Sequence, residues 1–171
     1  MKIIKATRED FDLIYSEMEK SFIREEIRDY DSALETLNEE SYSIYHALDG
    51  DIRVGFMTVW ELSGFAFLEH FVTYESFRNK GYGQKALTLL KEKFGRIILE
   101  AEPPLEDIQK RRISFYQRNG FRKNDFPYIQ PPYRASDTGV GLILMSYPEP
   151  LGDAAPFVKE IYEKVYKKST I

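Results

Sequence analysis

The residues whose spacing most clearly suggests chemistry are Arg78, Asn79, Lys80, Gly81, Tyr82, Gly83 and Gln84. Glycines at 81 and 83 let the backbone approach a ligand without Cβ interference and permit positive φ. Ala86, Leu87, Leu90 and Phe94 follow at helical spacing, so the free N–H groups of a helix start point back into this turn. A helix N-terminus favours anions, and Arg78 and Lys80 add full positive charges beside it. The chemistry indicated is that of a pyrophosphate cradle; a surface turn with incidental glycines is the plain alternative.

Other chemistries are sparsely supplied. The 171 residues contain no cysteine, which excludes disulfides, thiol nucleophiles and thiolate metal sites together. His46 and His70 are the only imidazoles and form no His-Glu-x-x-His pair, so no metal cofactor is expected. Net charge is −4 without a basic block, so no nucleic-acid partner is expected. No apolar run nears the ~20 residues of a membrane span, and the start turns polar early, so no membrane partner and a cytoplasmic location are expected.

The elements that must position the turn can be read in order. Ile3 and Ile4 suggest a first strand, and Thr7 can cap a helix carrying Phe11, Ile14, Met18 and Phe22 on one face. Residues 23–40 are acidic and alternate in sign, with a second short helix around Tyr30, Leu34 and Leu37. These charges suit a solvated face, but Glu25, Glu26, Asp29 and Asp31 would attract a cationic amine if they faced a cleft. Three extended runs follow, 43–49, 52–62 and 65–73, as an antiparallel meander leading into the turn.

After the helix at 86–94, Gly95 stops it, and residues 96–100 form a buried strand expected to pair in parallel with the strand before the turn. Glu106 or Asp107 opens a further helix through Phe115 and Tyr116, capped by Asn119-Gly120. A proline- and tyrosine-rich loop, Tyr128 to Tyr133, precedes a last strand over 141–147, and Asp153 can cap a final helix. One domain over 1–147 with a helical extension over 148–171 packed on it is expected.

Two cofactor classes can claim the turn. Gly81-x-Gly83-x-x-Ala86 with Glu100 downstream satisfies the dinucleotide fingerprint and would imply an NAD-type enzyme. Against it, polar residues 74–80 separate the strand from the first glycine, and an antiparallel meander precedes the turn. With Arg78 included, Arg-x-x-Gly-x-Gly after an apolar strand resembles the GNAT superfamily of N-acetyltransferases. Ile113-Ser114-Phe115-Tyr116-Gln117-Arg118-Asn119-Gly120-Phe121 is similar to its Phe-Tyr-x-x-x-Gly-Phe segment.

The resemblance, which covers residues 1–147, implies an α/β (α+β) fold: a mixed, mostly antiparallel central sheet flanked by helices, here with an extra C-terminal helix. It implies acetyl-coenzyme A as co-substrate, transfer to an amine in a ternary complex, and a small-molecule amine as partner. A homodimer is a further expected partner, and a non-catalytic coenzyme-binding module on the same fold is the alternative. The implied cofactor residues are Phe71, Val72 and Thr73 through their backbone, then Arg78, Asn79, Lys80, Gly81, Tyr82, Gly83 and Gln84 at the pyrophosphate. Tyr116 takes the family's general-acid position. Gln109 and Arg112 depart from the usual pattern; Arg112 could instead meet a coenzyme phosphate or an acidic substrate. For the base, strand alternation selects Glu69, which shares a face with Phe67 and Phe71 if no bulge intervenes and leaves His70 on the other.

Overall fold

The computed structural model describes residues 1–169; residues 170 and 171, the end of the expected extension, lie outside the described residues. Eight strands form the sheet: β1 (Lys2–Lys5), β2 (Tyr42–Asp49), β3 (Ile52–Leu62), β4 (Phe65–Thr73), β5 (Ile97–Ala101), β6 (Arg122–Lys123), β7 (Tyr128–Gln130) and β8 (Val140–Tyr147). Five α-helices accompany them: α1 (Phe11–Ser21), α2 (Tyr30–Thr36), α3 (Tyr82–Phe94), α4 (Asp107–Arg118) and α5 (Ala155–Lys164). The strand order is β1-β2-β3-β4-β5-β8-β6, with β7 also on β8. Among the described residues, only β4 and β5 pair in parallel, through the crossover made by α3. The fold is the expected mixed, mostly antiparallel sheet.

Alternation along the strands sends side chains to two apolar faces. On one, Ala66, Leu68, Ile97, Leu99 and Met145 meet Leu87 and Leu90 of α3 and Ile113 and Tyr116 of α4. On the other, Ile44, Phe56 and Val72 meet Phe11, Ile14 and Met18 of α1. Farther along that second face, Trp60, Phe67, Ile98 and Leu144 meet Ile161 of α5 and Val165 and Tyr166 just beyond it. The C-terminal helix thus covers apolar strand residues that would otherwise face water.

Two irregularities set the site. The parallel ladder between β4 and β5 joins Ala66–Leu68 to Ile97–Leu99 and stops there, after which β4 keeps only β3 and β5 keeps only β8. At the same level β4 slips against β3: Thr58 faces His70 but Val59 faces Leu68, leaving Glu69 as the extra residue of a β-bulge. Nearby Gly55 is sterically required, because a Cβ there would lie 2.1 Å from the Val72 carbonyl oxygen.

Candidate active site

The cradle is built from backbone. A 3₁₀ turn over Glu75–Phe77 follows β4, Asn79 and Gly81 take φ of 59° and 81°, and α3 opens at Tyr82. Lys85 makes the first helical bond, to the Gly81 carbonyl at 3.2 Å, so the N–H groups of Tyr82, Gly83 and Gln84 project from the helix end. Arg78 Nε donates to the Thr73 carbonyl (3.1 Å) and Lys80 Nζ to the Ser76 carbonyl (2.9 Å), tying both cations to the turn they charge. The Tyr82 hydroxyl reaches away to Asp49 Oδ2 at 2.9 Å. This set of amide donors and fixed cations fits a pyrophosphate.

The three strand residues expected to face the cofactor divide. The Val72 carbonyl points at Gly55 and the Tyr74 N–H bonds the Val54 carbonyl at 2.9 Å, so both engage β3. Alternation therefore turns the backbone groups of Phe71 and Thr73 towards the gap left by β5, with the Thr73 carbonyl already held by Arg78. The Phe71 ring lies on the α3 side, 6.3 Å from the Phe115 ring, and a Cβ at Gly83 would be 3.8 Å from it. Glycine at 83 lets the helix start sit close on β4, where a Cβ would lie 3.3 Å from Thr73 Oγ1.

Tyr116 is buried on α4 between Phe115 and Phe121, with ring centroids 5.3 and 5.6 Å away. Burial pushes its phenol up to about 12, with Arg112 pulling the other way, so the hydroxyl stays protonated through neutral pH. Arg112 itself bonds Glu102 at 2.9 Å.

The bulge corrects the alternation expected for β4. It puts Glu69 and His70 on the same face and moves Phe71 to the face opposite Phe67, since one extra residue inverts everything after it. His70 Nδ1 and Glu69 Oε2 are 3.9 Å apart. His70 is buried: Nε2 meets the Glu26 carbonyl at 2.9 Å, Nδ1 meets the Thr58 hydroxyl at 3.0 Å, and the His70 backbone N–H donates to that hydroxyl at 2.9 Å. A carbonyl can only accept, so Nε2 carries the proton and Nδ1 accepts from Thr58. Burial also lowers the pKa of this ring, and no free nitrogen remains for catalysis.

Glu69 is similarly committed. Its side chain is 1% exposed, and it accepts from Arg28 Nη1 (2.7 Å), the Tyr133 hydroxyl (2.8 Å) and Trp60 Nε1 (2.9 Å). Burial alone would raise its pKa, but the Arg28 charge and these bonds outweigh it and the carboxyl is lowered. One strand over, Glu100 accepts from the hydroxyls of Tyr128 and Tyr166 and has no cation of its own, so burial pushes it up to about 7. Glu100 is thus sealed by two tyrosines, and the ribose-binding role that the dinucleotide fingerprint required has no carboxylate to use.

Among the early acids, Asp29 caps α2 by accepting from the Ser32 N–H at 2.9 Å. Glu26 is half-buried beside the gap: its own carbonyl holds His70, and its carboxyl is raised by burial and then by the charge of Glu102, at the end of β5. Arg28 and Tyr166 had no expected catalytic or binding part, and Tyr133 stood only as the end of the Tyr128 to Tyr133 loop expected to bear on the acceptor. The only sequence signals were an arginine inside an acidic tract and an aromatic loop too stiff for a linker.

A family model described as an acetyltransferase (GNAT) domain matches residues 40–123. A solved structure of a candidate GNAT-family acetyltransferase from Bacteroides thetaiotaomicron is 31% identical, with a TM-score of 0.91 over 97% of this chain and 98% of that one. The chain belongs to the GNAT family. Bacillus subtilis (strain 168) YjbC, named as a candidate acetyltransferase, is 31% identical over 110 residues, 63% of this GNAT chain but only 56% of that protein's length. An aminoglycoside 6'-N-acetyltransferase complexed with coenzyme A shares the fold, with a TM-score of 0.65 at 16% identity over 88% of this chain and 99% of that one.

Proposed function

We propose that the protein is an acetyl-coenzyme A-dependent N-acetyltransferase that transfers acetyl to a primary amine of a small molecule by direct attack in a ternary complex. The observation that carries this reading is the gap beyond Leu68 and Leu99, which opens directly into the cradle at the start of α3. Bound coenzyme would supply the acetyl thioester. The protein's part is to hold and to move protons: amides of residues 82–84 with Arg78 and Lys80 hold the pyrophosphate, and the Phe71 backbone faces the pantetheine side of the gap. Tyr116, protonated at neutral pH, is assigned the proton given to the departing thiolate.

On the acceptor side we assign Glu26 and Glu102, whose mutual charge is only partly offset by Arg112, to attract an ammonium and take up its proton. Glu69 is assigned a holding role, because three strong donors leave its carboxylate a weak base. The test is acetylation of an amine library with acetyl-coenzyme A, read by mass spectrometry, alongside thermal shift with coenzyme A and NAD. Acetylated product and a shift with coenzyme A alone are expected. Binding without turnover on any amine would instead favour a coenzyme-binding module.

A further inference from the structure

A largely buried polar cluster lies behind the β4 bulge. Its hub is Arg28, from the segment between α1 and α2, with a side chain only 12% exposed. One guanidinium nitrogen bonds Glu69 at 2.7 Å, and Nη2 donates to the Val165 carbonyl, just past α5, at 2.8 Å. The guanidinium stacks 4.6 Å over the Tyr133 ring and 5.7 Å over Trp60. Tyr166 closes on Tyr133 at 5.3 Å and donates to Glu100 at 2.7 Å.

Four separate parts of the chain, residues 60, 69, 133 and 165, therefore meet at one planar cation, Arg28. Glu69 is the bulged residue, so whatever fixes its side chain fixes the slip that ends the β4–β5 ladder and aims the Phe71 backbone into the gap. An arginine suits this because its planar fork serves two acceptors at once while its faces stack on rings.

We propose that Arg28, braced by the Val165 carbonyl of the C-terminal segment, is a positioning residue for acetyl transfer that locks the β4 bulge. The segment after α5, which lies outside the stretch matched by the family model, then belongs to the working parts of the enzyme. This rests on the acetyltransferase reading above, yet it makes a structural statement that can be tested without turnover.

A cavity of about 400 Å³ lined by Arg28, Trp60, Tyr133, Val165 and Tyr166 opens beside the guanidinium and gives a way to restore it from outside. In Arg28→Ala, kcat should fall about tenfold or more with coenzyme A affinity within about twofold of the parent, as expected when a group that orients a site is lost. Millimolar guanidinium should then restore part of kcat, whereas methylammonium, with no fork, should not. Arg28→Lys, the safer variant for folding, should show the same split between kcat and coenzyme affinity. Hydrogen exchange of the amides of residues 69–73 should quicken in both variants while β1 and β2 stay protected.

Rescue by guanidinium and faster exchange at 69–73 would support the proposal. Unchanged exchange there, or a coenzyme affinity that falls in step with kcat, would overturn it. If the parent protein proves inactive on all amines, the acetyltransferase reading fails, and exchange at 69–73 still decides the role of Arg28.

Discussion

The gap between β4 and β5 has two unlike borders. Towards α3, the cradle is made of main-chain amides, two glycines and cations tied to nearby carbonyls, all within residues 73–85. Behind the bulge, the second border is a buried set of side chains, Arg28, Trp60, Glu69, Glu100, Tyr128, Tyr133 and Tyr166, drawn from the whole length of the chain. A site made from backbone needs few particular side chains and stays wet enough to receive a ligand. A buried polar cluster must have every partner, because an unmatched charge away from water is costly. Damage to the first should therefore show mainly in binding, and damage to the second mainly in stability and geometry.

The largest effect should come from Glu69→Ala, which leaves the Arg28 charge buried and unpaired. Urea unfolding should report a loss of about 3–5 kcal/mol, the range for breaking one side of a buried pair. A loss below about 1 kcal/mol, the scale of an exposed pair, would mean that water reaches the cluster and that the two borders are alike.

Glu100 gives the next effect, and one with a sign. The folded carboxyl is raised from 4.5 to about 7, so the native state keeps a proton that the unfolded chain releases. Stability from this group is complete below pH 4.5 and falls as pH rises to 7, by about 3 kcal/mol in all. Glu100→Gln cannot ionise, so its stability relative to the parent should improve by about that amount between pH 4.5 and 7.5. Parallel stability curves across this range would show the acid to be solvated.

Tyr116→Phe keeps the ring between Phe115 and Phe121 and removes only the hydroxyl. We expect kcat to drop about 100-fold with the melting temperature nearly unchanged, the range for losing a general acid. Undiminished turnover in the folded variant would remove the acid role. The smallest effect should be Gly81→Ala. The left-handed conformation at Gly81 penalises a Cβ by about 1–2 kcal/mol, although nothing lies near enough to clash. Isothermal titration should show weakened coenzyme A binding with little loss in kcat at saturation.

Much of the cradle was legible because its signals are local. Helical spacing from Ala86 to Phe94, glycines at 81 and 83 and the capped ends of α3 and α4 all lie within a few residues of what they determine. The meander and the parallel crossover followed from period and order. The face assignments of His70 and Phe71 were not legible. Alternation assumes an unbroken pleat, and the slip at Glu69 exists only in the pairing of β4 with β3. The cluster around Arg28 was hidden for a related reason, since Arg28 meets Val165 across 137 residues of sequence.

The sequence by itself determined the element order, the glycine turn that opens α3 and the place of Tyr116 on α4, because backbone conformation there is set by neighbouring residues. Only the tertiary structure decided which carboxyl is held below its usual range and which is pushed above it. Glu69 and Glu100 are chemically near-identical acids on adjacent strands, but Arg28 pairs with Glu69, while the side-chain partners of Glu100 are tyrosine hydroxyls. In a buried site a counter-ion lowers the pKa of the acid it pairs with, and burial raises that of the acid without one.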